Sequence, residues 1–523
     1  MNIKVYRKNR AVDVQGTSGS SLQNILRENG IYINAACGGN GKCGTCKVRY
    51  IQNPAPKTPA EKRYFSEEDL NKGWRLACVS KPEEDCEIQI DSDEEKDFYV
   101  VSDHEAFQAE NSDGDTEWNI GIDIGSTTIA MSLTGNNSKS SIASYSAVNK
   151  QRSYGSDVIS RIQASNEGKK EELKECVRKE IYVGVHELLK RGEISVNQLK
   201  EVIIAGNTTM LHLLMGFSCE TLGVYPFQPE SLKTLNLPFR ELFPKQQEND
   251  CDKELLGAVK VTLLPGISAF VGADISSGLL YCKFDRLEKP SLFIDLGTNG
   301  EMALGNKDHI LTTSTAAGPA FEGGNITWGT GSIPGAICKV TINNEKPDCH
   351  TIGDKPPVGI CGTGVIDIVY ELLKNEIIDE TGLLSDAYFE TGFSLGVTET
   401  GEEITFTQQD IREVQLAKSA IRAGIEVLMK RYGVDFKEIE HVFLAGGFGY
   451  KIDIKKAVGI GMIPEELIQK IEAVGNSALA GTIVYAGEAD ALQMEGLIQV
   501  SKEINLSQDK DFNTLYMNYM MFE

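Results

Sequence analysis

The sequence has no run of about 18 consecutive apolar residues, so no segment is built to cross a bilayer as a helix. Met1 to Arg10 alternates polar and apolar residues with no apolar stretch behind it, unlike a secretory leader. These absences predict a soluble, unexported, cytoplasmic protein. Positive charge is also short: 52 Lys and Arg stand against 75 Asp and Glu, a net charge of −23. Most of such a surface repels a phosphate backbone or an anionic bilayer, so neither nucleic acid nor membrane is expected as a partner. The pattern G-x-x-x-x-G-K-(S/T) does not occur, which excludes a P-loop nucleotide site. Disorder is excluded as well, because 41% hydrophobic residues and 51 glycines bring the apolar share to the ordinary globular value. A chain of 523 residues, at roughly 150 per domain, should carry three or four domains.

Charge divides the chain. Residues 1–90 hold 14 basic and 10 acidic residues, a net of +4, whereas residues 91–117 hold 11 acidic and one basic. A like-charge stretch with few apolar anchors stays extended and solvated, so 91–117 reads as a linker that leaves its neighbours mechanically independent. In the basic module, Ile3–Tyr6 and Ala11–Val14 read as a hairpin, Ser20 or Ser21 as the cap of a short helix ending near Gly30, and Cys86–Ile90 as a final strand. The module is predicted to be a small α+β domain.

The 12 cysteines of a chain in a reducing compartment are metal ligands more often than disulfides. Cys37, Cys43 and Cys46 form a C-x5-C-x2-C run in AACGGNGKCGTCKV, and Cys78 follows in RLACVS. Three thiolates on one loop and a fourth from a distant segment is the layout of a plant-type [2Fe-2S] site, with one residue more than its nominal C-x4-C-x2-C and closer to the adrenodoxin-like variant. Gly38, Gly39, Gly41 and Gly44 suit a loop whose N–H groups must turn inward toward sulfur. A zinc site with four thiolate ligands is the alternative, but zinc ribbons usually offer two C-x2-C knuckles and one is present. Cys86 and the seven cysteines beyond it show no ligand spacing and read as inert buried thiols. Gly39-x-Gly41-x-x-Gly44 matches a dinucleotide fingerprint but lacks the strand-to-helix context that gives it meaning. Lys42, Lys47, Arg49 and Arg75 lie close to proposed ligands and predict a cationic rim that docks an acidic electron donor.

Past the linker the sequence repeats. Trp118–Thr128 (WNIGIDIGSTT) and Ser291–Gly300 (SLFIDLGTNG) align Asp123 with Asp295 and Gly125 with Gly297, and each runs into a second apolar strand. Two related halves imply a cleft between them. A tight turn of small residues presents N–H groups and hydroxyls to phosphate oxygens, while the preceding Asp can hold Mg²⁺ through water. Ser126, Thr127, Thr298 and Asn299 are the polar tips. Val442–Gly449 (VFLAGGFG) is a buried strand opening into Gly446, Gly447 and Gly449, where backbone can approach a flat ligand such as adenosine, and Val202–Thr209 (VIIAGNTT) repeats that pattern in the first half. Glu322, in AAGPAFEGGNI, is placed to position water against a γ-phosphate. Thr407–Asp410 reads as a capping box, followed by apolar positions 411, 414, 417, 421, 425 and 428, and the opposite face aligns Gln415, Lys418 and Arg422 as candidate nucleotide contacts.

These motifs resemble the phosphate and adenosine elements of the superfamily that includes acetate kinase, sugar kinases, heat-shock chaperone ATPases and actin, over roughly residues 118–523. The resemblance implies a small β-grasp ferredoxin-like domain (1–90), the linker (91–117), a first ASKHA-like half (118–290) with room for a separate middle domain, and a second half carrying the nucleotide site (291–523). An iron-sulfur module, an acidic linker and an ASKHA ATPase in this order resemble the reductive activators of corrinoid-dependent enzymes, and AGPAFEGGNI and QQDIREVQLAKSAI look like signatures of that family. The resemblance implies an anaerobic electron-transfer ATPase with Asp123, Asp295 and Glu322 as catalytic residues. An electron would pass from a low-potential donor such as a ferredoxin through one [2Fe-2S] cluster to Co(II) corrinoid, restoring Co(I), with Mg²⁺ and ATP; it also implies a homodimer. No cysteine follows Cys361, so a second cluster is not expected. Plant-type clusters sit near about −400 mV, and a shortfall of about 100–200 mV against the corrinoid costs roughly 2–5 kcal/mol, within reach of an ATP-driven conformational step. A redox-linked small-molecule kinase and a nucleotide-gated iron-sulfur regulator remain alternatives.

Overall fold

The computed structural model describes residues 1–7, 10–33, 39, 41, 44, 46–90, 114–244, 253–447, 452–485 and 488–522. Cys37, Gly38, Lys42, Cys43, Gly449 and most of the acidic stretch, 91–113, lie outside the described residues.

The N-terminal unit is a five-stranded sheet built from β1 (Asn2–Arg7), β2 (Arg10–Gln15), β3 (Lys47–Gln52), β4 (Trp74–Leu76) and β5 (Cys86–Ile90), in the order β2-β1-β5-β3-β4. β1 and β2 form the antiparallel hairpin read from alternation, and β5 lies parallel to β1. The helix Leu22–Glu28 packs Leu22, Ile25 and Leu26 into the core under this sheet, capped by Ser21, whose hydroxyl accepts from Asn24 N–H at 3.3 Å. Sheet plus one packed helix is the β-grasp arrangement of ferredoxins.

Two six-stranded sheets follow. The first consists of β6 (Trp118–Ile124), β7 (Thr128–Gly135), β8 (Ser141–Val148), β9 (Leu199–Gly206), β10 (Leu235–Pro238) and β11 (Lys260–Leu263), in the order β10-β11-β9-β6-β7-β8. The second begins with β12 (Ser291–Leu296), β13 (Gly300–Gly305) and β14 (Ile310–Thr315). A three-stranded sheet of β15 (Ala336–Asn343), β16 (Lys346–Thr351) and β17 (Gly359–Ile360) is inserted next, then a hairpin of β18 (Phe393–Val397) and β19 (Glu403–Phe406). β20 (Val442–Ala445), β21 (Ile471–Gly475) and β22 (Ser501–Glu503) complete it in the order β21-β20-β12-β13-β14-β22.

The repeat seen in sequence is a repeat of register. In each half a strand pairs in parallel with the Asp-bearing strand, so that Ala205 stands opposite Asp123 and Ala445 opposite Asp295. The Asp strand then folds into an antiparallel hairpin that sets Ala130 opposite Asp123 and Glu301 opposite Asp295. Buried strands such as WNIGIDI, apolar at nearly every position, need cover on both faces. Helix Lys170–Arg191 lies on one face of the first sheet, and helices Ala273–Tyr281 and Ser477–Val484 pack between the two sheets. Those two helices approach so closely that a Cβ on Gly481 would stand 2.1 Å from the Ser277 carbonyl oxygen.

The long helix predicted to start at Thr407 spans Gln408–Tyr432, with the Thr407–Asp410 box formed and Ile411, Val414, Ala417, Ile421, Ile425 and Leu428 all buried. Its opposite face departs from the expectation of a nucleotide contact. Gln415 donates to the carbonyls of Met520 (2.7 Å) and Thr381 (3.0 Å), Lys418 donates to the Met521 carbonyl and lies 5.0 Å over the Phe522 ring, and Arg422 pairs with Glu426 and stacks on Tyr519. The helix is covered on this side by the C-terminal helix Phe512–Asn518 and its tail, whose last carbonyls need donors.

Candidate functional site

The two Asp-x-Gly turns meet in one acidic cleft. Asp123 and Asp295 end their strands, and Asp274 projects from the first turn of helix Ala273–Tyr281. Glu301 opens β13 and Glu322 lies on the glycine-flanked turn after β14. Burial pushes the Asp123 carboxyl up to about 7 and the Asp295 carboxyl up to about 8, the latter also raised by Asp274, Asp123 and Glu322. Asp274 and Glu301 are raised as well, and burial is again the first cause. The cleft thus gathers acids whose charges raise one another's proton affinity, a lining that a cation would complement. Among the described residues no three His, Cys, Asp or Glu side chains converge closely enough to chelate a metal directly.

Polar partners hold the acids in place. Asn476, the N-cap of helix Ser477–Val484, donates to Asp123 at 2.9 Å, and the Thr298 hydroxyl donates to Glu322 at 2.6 Å. Glu322 is raised by desolvation against the pull of Thr298 and of the Arg152 guanidinium. The turns are closed by Gly125 N–H to the Thr128 carbonyl (2.9 Å) and Gly297 N–H to the Asn299 carbonyl (3.0 Å), which leaves Ser126, Thr127 and Thr298 at the tips. Gly446 has φ +94°, and a Cβ there would stand 2.4 Å from the Leu296 carbonyl and 2.8 Å from an Asp295 carboxylate oxygen; Gly447 has open space beside it. Thus Gly446 is required by the close approach of β20 to the second turn, independently of any ligand.

Sequence reasoning missed Asp274, Glu301, Asn476, Arg152 and Arg161. Glu301 sits one residue past the quoted LGTNG. Asn476 repeats the strand-Gly-Asn pattern of Gly206-Asn207, and each Asn caps a helix. Asp274 and the two arginines carried no local signal, because their place depends on chain packing.

At the N-terminal unit, the described pair of proposed ligands, Cys46 and Cys78, are buried and in hydrogen-bond contact with each other. That contact, with Gly41 N–H donating to the Cys78 sulfur, pulls the Cys78 thiol down to about 7. The unspaced cysteines behave in the opposite way: burial pushes Cys86 and Cys349 up to about 11 and Cys176 up to about 12. Gly39, Gly41 and Gly44 all have positive φ, and a Cβ on Gly44 would meet the Tyr64 ring at 2.5 Å. A thiol pair with inward-turned amides and a glycine-bound loop fits an iron-sulfur cluster. The expected cationic rim loses Arg75, which is buried and donates to the carbonyls of Ala55, Leu70 and Trp74 at 2.7–2.9 Å. Lys47 and Arg49 are exposed on β3.

Comparison with known proteins agrees with this anatomy. Residues 5–83 match the 2Fe-2S iron-sulfur cluster binding domain, 118–287 the RACo middle region and 289–523 the C-terminal ASKHA domain of RACo. The corrinoid activation enzyme RamQ of Eubacterium limosum is 32% identical over 433 residues, covering 77% of this chain and 70% of that protein. The [Co(II) methylated amine-specific corrinoid protein] reductase of Methanosarcina barkeri is 26% identical and covers 64% of each chain. A solved structure of a reductive activator for corrinoid,iron-sulfur protein superposes with a TM-score of 0.69 at 27% identity, covering 99% of this chain and 98% of that one. A β-grasp unit with a thiol pair, two Asp-x-Gly turns in matching register and this similarity along the whole chain have one common meaning: the chain belongs to the family of reductive activators of corrinoid proteins.

Proposed function

We propose that this protein reactivates a corrinoid protein by ATP-dependent one-electron reduction of Co(II) to Co(I), with a low-potential donor such as a ferredoxin supplying the electron. The observation that carries the reading is the presence, on one chain, of a thiol pair fit for a cluster and an acidic cleft flanked by two phosphate-type turns. When bound, a [2Fe-2S] cluster supplies a one-electron carrier, held by Cys46 and Cys78 together with Cys37 and Cys43. Asp123 and Asp295 would hold Mg²⁺ through water, and the ion would neutralise phosphate charge. Ser126, Thr127 and Thr298, with the N-termini of helices Ala273–Tyr281 and Ser477–Val484, face the phosphates of ATP. Glu322, held by Thr298, orients the attacking water. Hydrolysis changes the charge between the halves and so biases client binding rather than phosphorylating it. The functional protein is a homodimer in this reading.

The test combines the protein with its reduced donor, a Co(II) corrinoid protein and Mg-ATP. The Co(I) absorbance should appear with ATP and not without it. Asp295→Asn should slow hydrolysis by about 10²-fold or more while dithionite still bleaches the cluster. Hydrolysis surviving in both Asp295→Asn and Asp123→Asn would refute the phosphate placement. Phosphorylation of a small molecule with no corrinoid protein present would favour a kinase.

A further inference from the structure

The acidic stretch between the units predicts independence, yet the ferredoxin-like unit is bonded to the first ASKHA half. Gln23 Nε2 donates to the Ser153 carbonyl at 3.0 Å in a buried contact, the Arg27 guanidinium lies 4.0 Å over the Tyr154 ring, and Lys150 Nζ lies 5.6 Å over the Tyr32 ring. These three body residues belong to one short segment, 149–155; beside it, Tyr32 also hydrogen-bonds Cys176 on helix Lys170–Arg191. Gln23 is also tied to the cluster loop: its N–H donates to the Ala77 carbonyl at 2.9 Å, next to Cys78, and a Cβ on Gly39 would stand 2.9 Å from its Oε1.

The other side of that segment holds the first phosphate-type turn. Asn149 Nδ2 donates to the Gly125 carbonyl (2.9 Å) and Asn149 N–H to the Thr127 carbonyl (2.8 Å). The remaining turn carbonyl, Ser126, accepts from Arg161 at 2.5 Å, and Arg161 also grips the segment by donating to the Gly155 carbonyl at 2.9 Å. Arg161 is fully buried and makes these bonds to carbonyls, with burial pulling its guanidinium down to about 9. Meanwhile Arg152, on the same segment, acts across the cleft on Glu322. Two carbonyls of the phosphate turn are thus held by Asn149, whose neighbour Lys150 lies over Tyr32, and the third by Arg161, which reaches the segment at Gly155, beside Tyr154.

We propose that segment 149–155 is the docking surface for the chain's own ferredoxin-like unit and couples that docking to nucleotide occupancy of the cleft. The inference rests on the nucleotide reading above. Any shift of the Gly125–Thr127 turn, or of Arg152 relative to Glu322, when phosphate binds moves Ser153 and Tyr154 against Gln23 and Arg27. Linkage is reciprocal, so if nucleotide changes docking by some factor, docking changes nucleotide affinity by the same factor.

The experiment is hydrogen exchange on the cluster-loaded full chain with and without Mg-ADP or a non-hydrolysable ATP analogue, beside calorimetric nucleotide titration. Nucleotide should slow exchange in 123–130 and 295–301 and change it at least about 5-fold in 22–33. Arg27→Ala, and separately the volume-conserving Gln23→Leu, should abolish the change in 22–33, keep that in the cleft, and shift nucleotide Kd by the same factor. Cleft protection with unchanged 22–33, or an unshifted Kd in both variants, would overturn the coupling alone. Absence of cleft protection would overturn the nucleotide reading and the coupling with it.

Discussion

At the scale of single residues, a thiol's surroundings separate ligands from packing. Cys78→Ala should abolish the visible iron-sulfur absorbance, whereas Cys282→Ala, a buried thiol whose proton is held by desolvation, should leave it intact. Equal loss in both would contradict the cluster assignment. Charge near the cluster makes a second case. Lys47 and Arg49 are exposed, so Lys47→Glu with Arg49→Glu should slow reduction by an acidic ferredoxin. The wild-type rate should itself fall as ionic strength rises from about 0.01 M to 0.15 M, where the Debye length shrinks from ~30 to ~8 Å. A salt-independent rate would rule out electrostatic docking. Arg75 does not belong in that experiment, because its donors are bound to three carbonyls inside the unit.

At the scale of elements, the helix Gln408–Tyr432 shows how a local reading can place a helix and its stripe while leaving open what its polar face meets. Its cap and apolar stripe were legible because 3.6-residue periodicity is a local property. The partner of its polar face was not, since Met520, Met521 and Phe522 lie about a hundred residues further on and nothing in spacing links them. Deleting residues 512–523 strips this cover from the helix, removing Phe522 from the core along with the acceptors of Gln415 and Lys418, and should cost roughly 3 kcal/mol or more in thermal or denaturant unfolding. Lys418→Met in the full chain should cost far less, since a buried ion exchanged for a similar apolar volume is often near neutral. It should also leave nucleotide affinity unchanged; a large loss of affinity would restore the helix to the site.

At the scale of the whole molecule, the acids of the cleft come from both halves and are forced together by the duplication. Without a cation the folded chain keeps protons on Asp123 and Asp295 up to about pH 7 and 8, whereas the unfolded chain releases them near about pH 4. Because the native state then binds more protons, stability from these groups is full below about pH 4 and is lost as pH rises toward 8. The melting temperature of metal-free protein should fall across that window. Mg²⁺ should raise it little at pH 5.5 and most near pH 8, and Asp295→Asn should flatten the metal-free profile. A profile that rises with pH would mean that these carboxyls are ionised and paired in the native state.

By itself the sequence determined the β-grasp hairpin, the capped helices and the two Asp-x-Gly turns, since each depends on alternation, capping chemistry or glycine over fewer than a dozen residues. It also carried the duplication, because two copies of a short pattern are comparable without knowing how they meet. Tertiary structure alone decided that Asp274, Glu301 and Asn476 join those turns, that Arg161 backs the first of them, and that Arg75 and Lys418 are interior groups. It also decided that the ferredoxin-like unit bonds to segment 149–155 rather than standing apart. Those contacts join residues tens to hundreds of positions distant, and a buried cation's carbonyl partners are chosen by packing rather than by any local pattern.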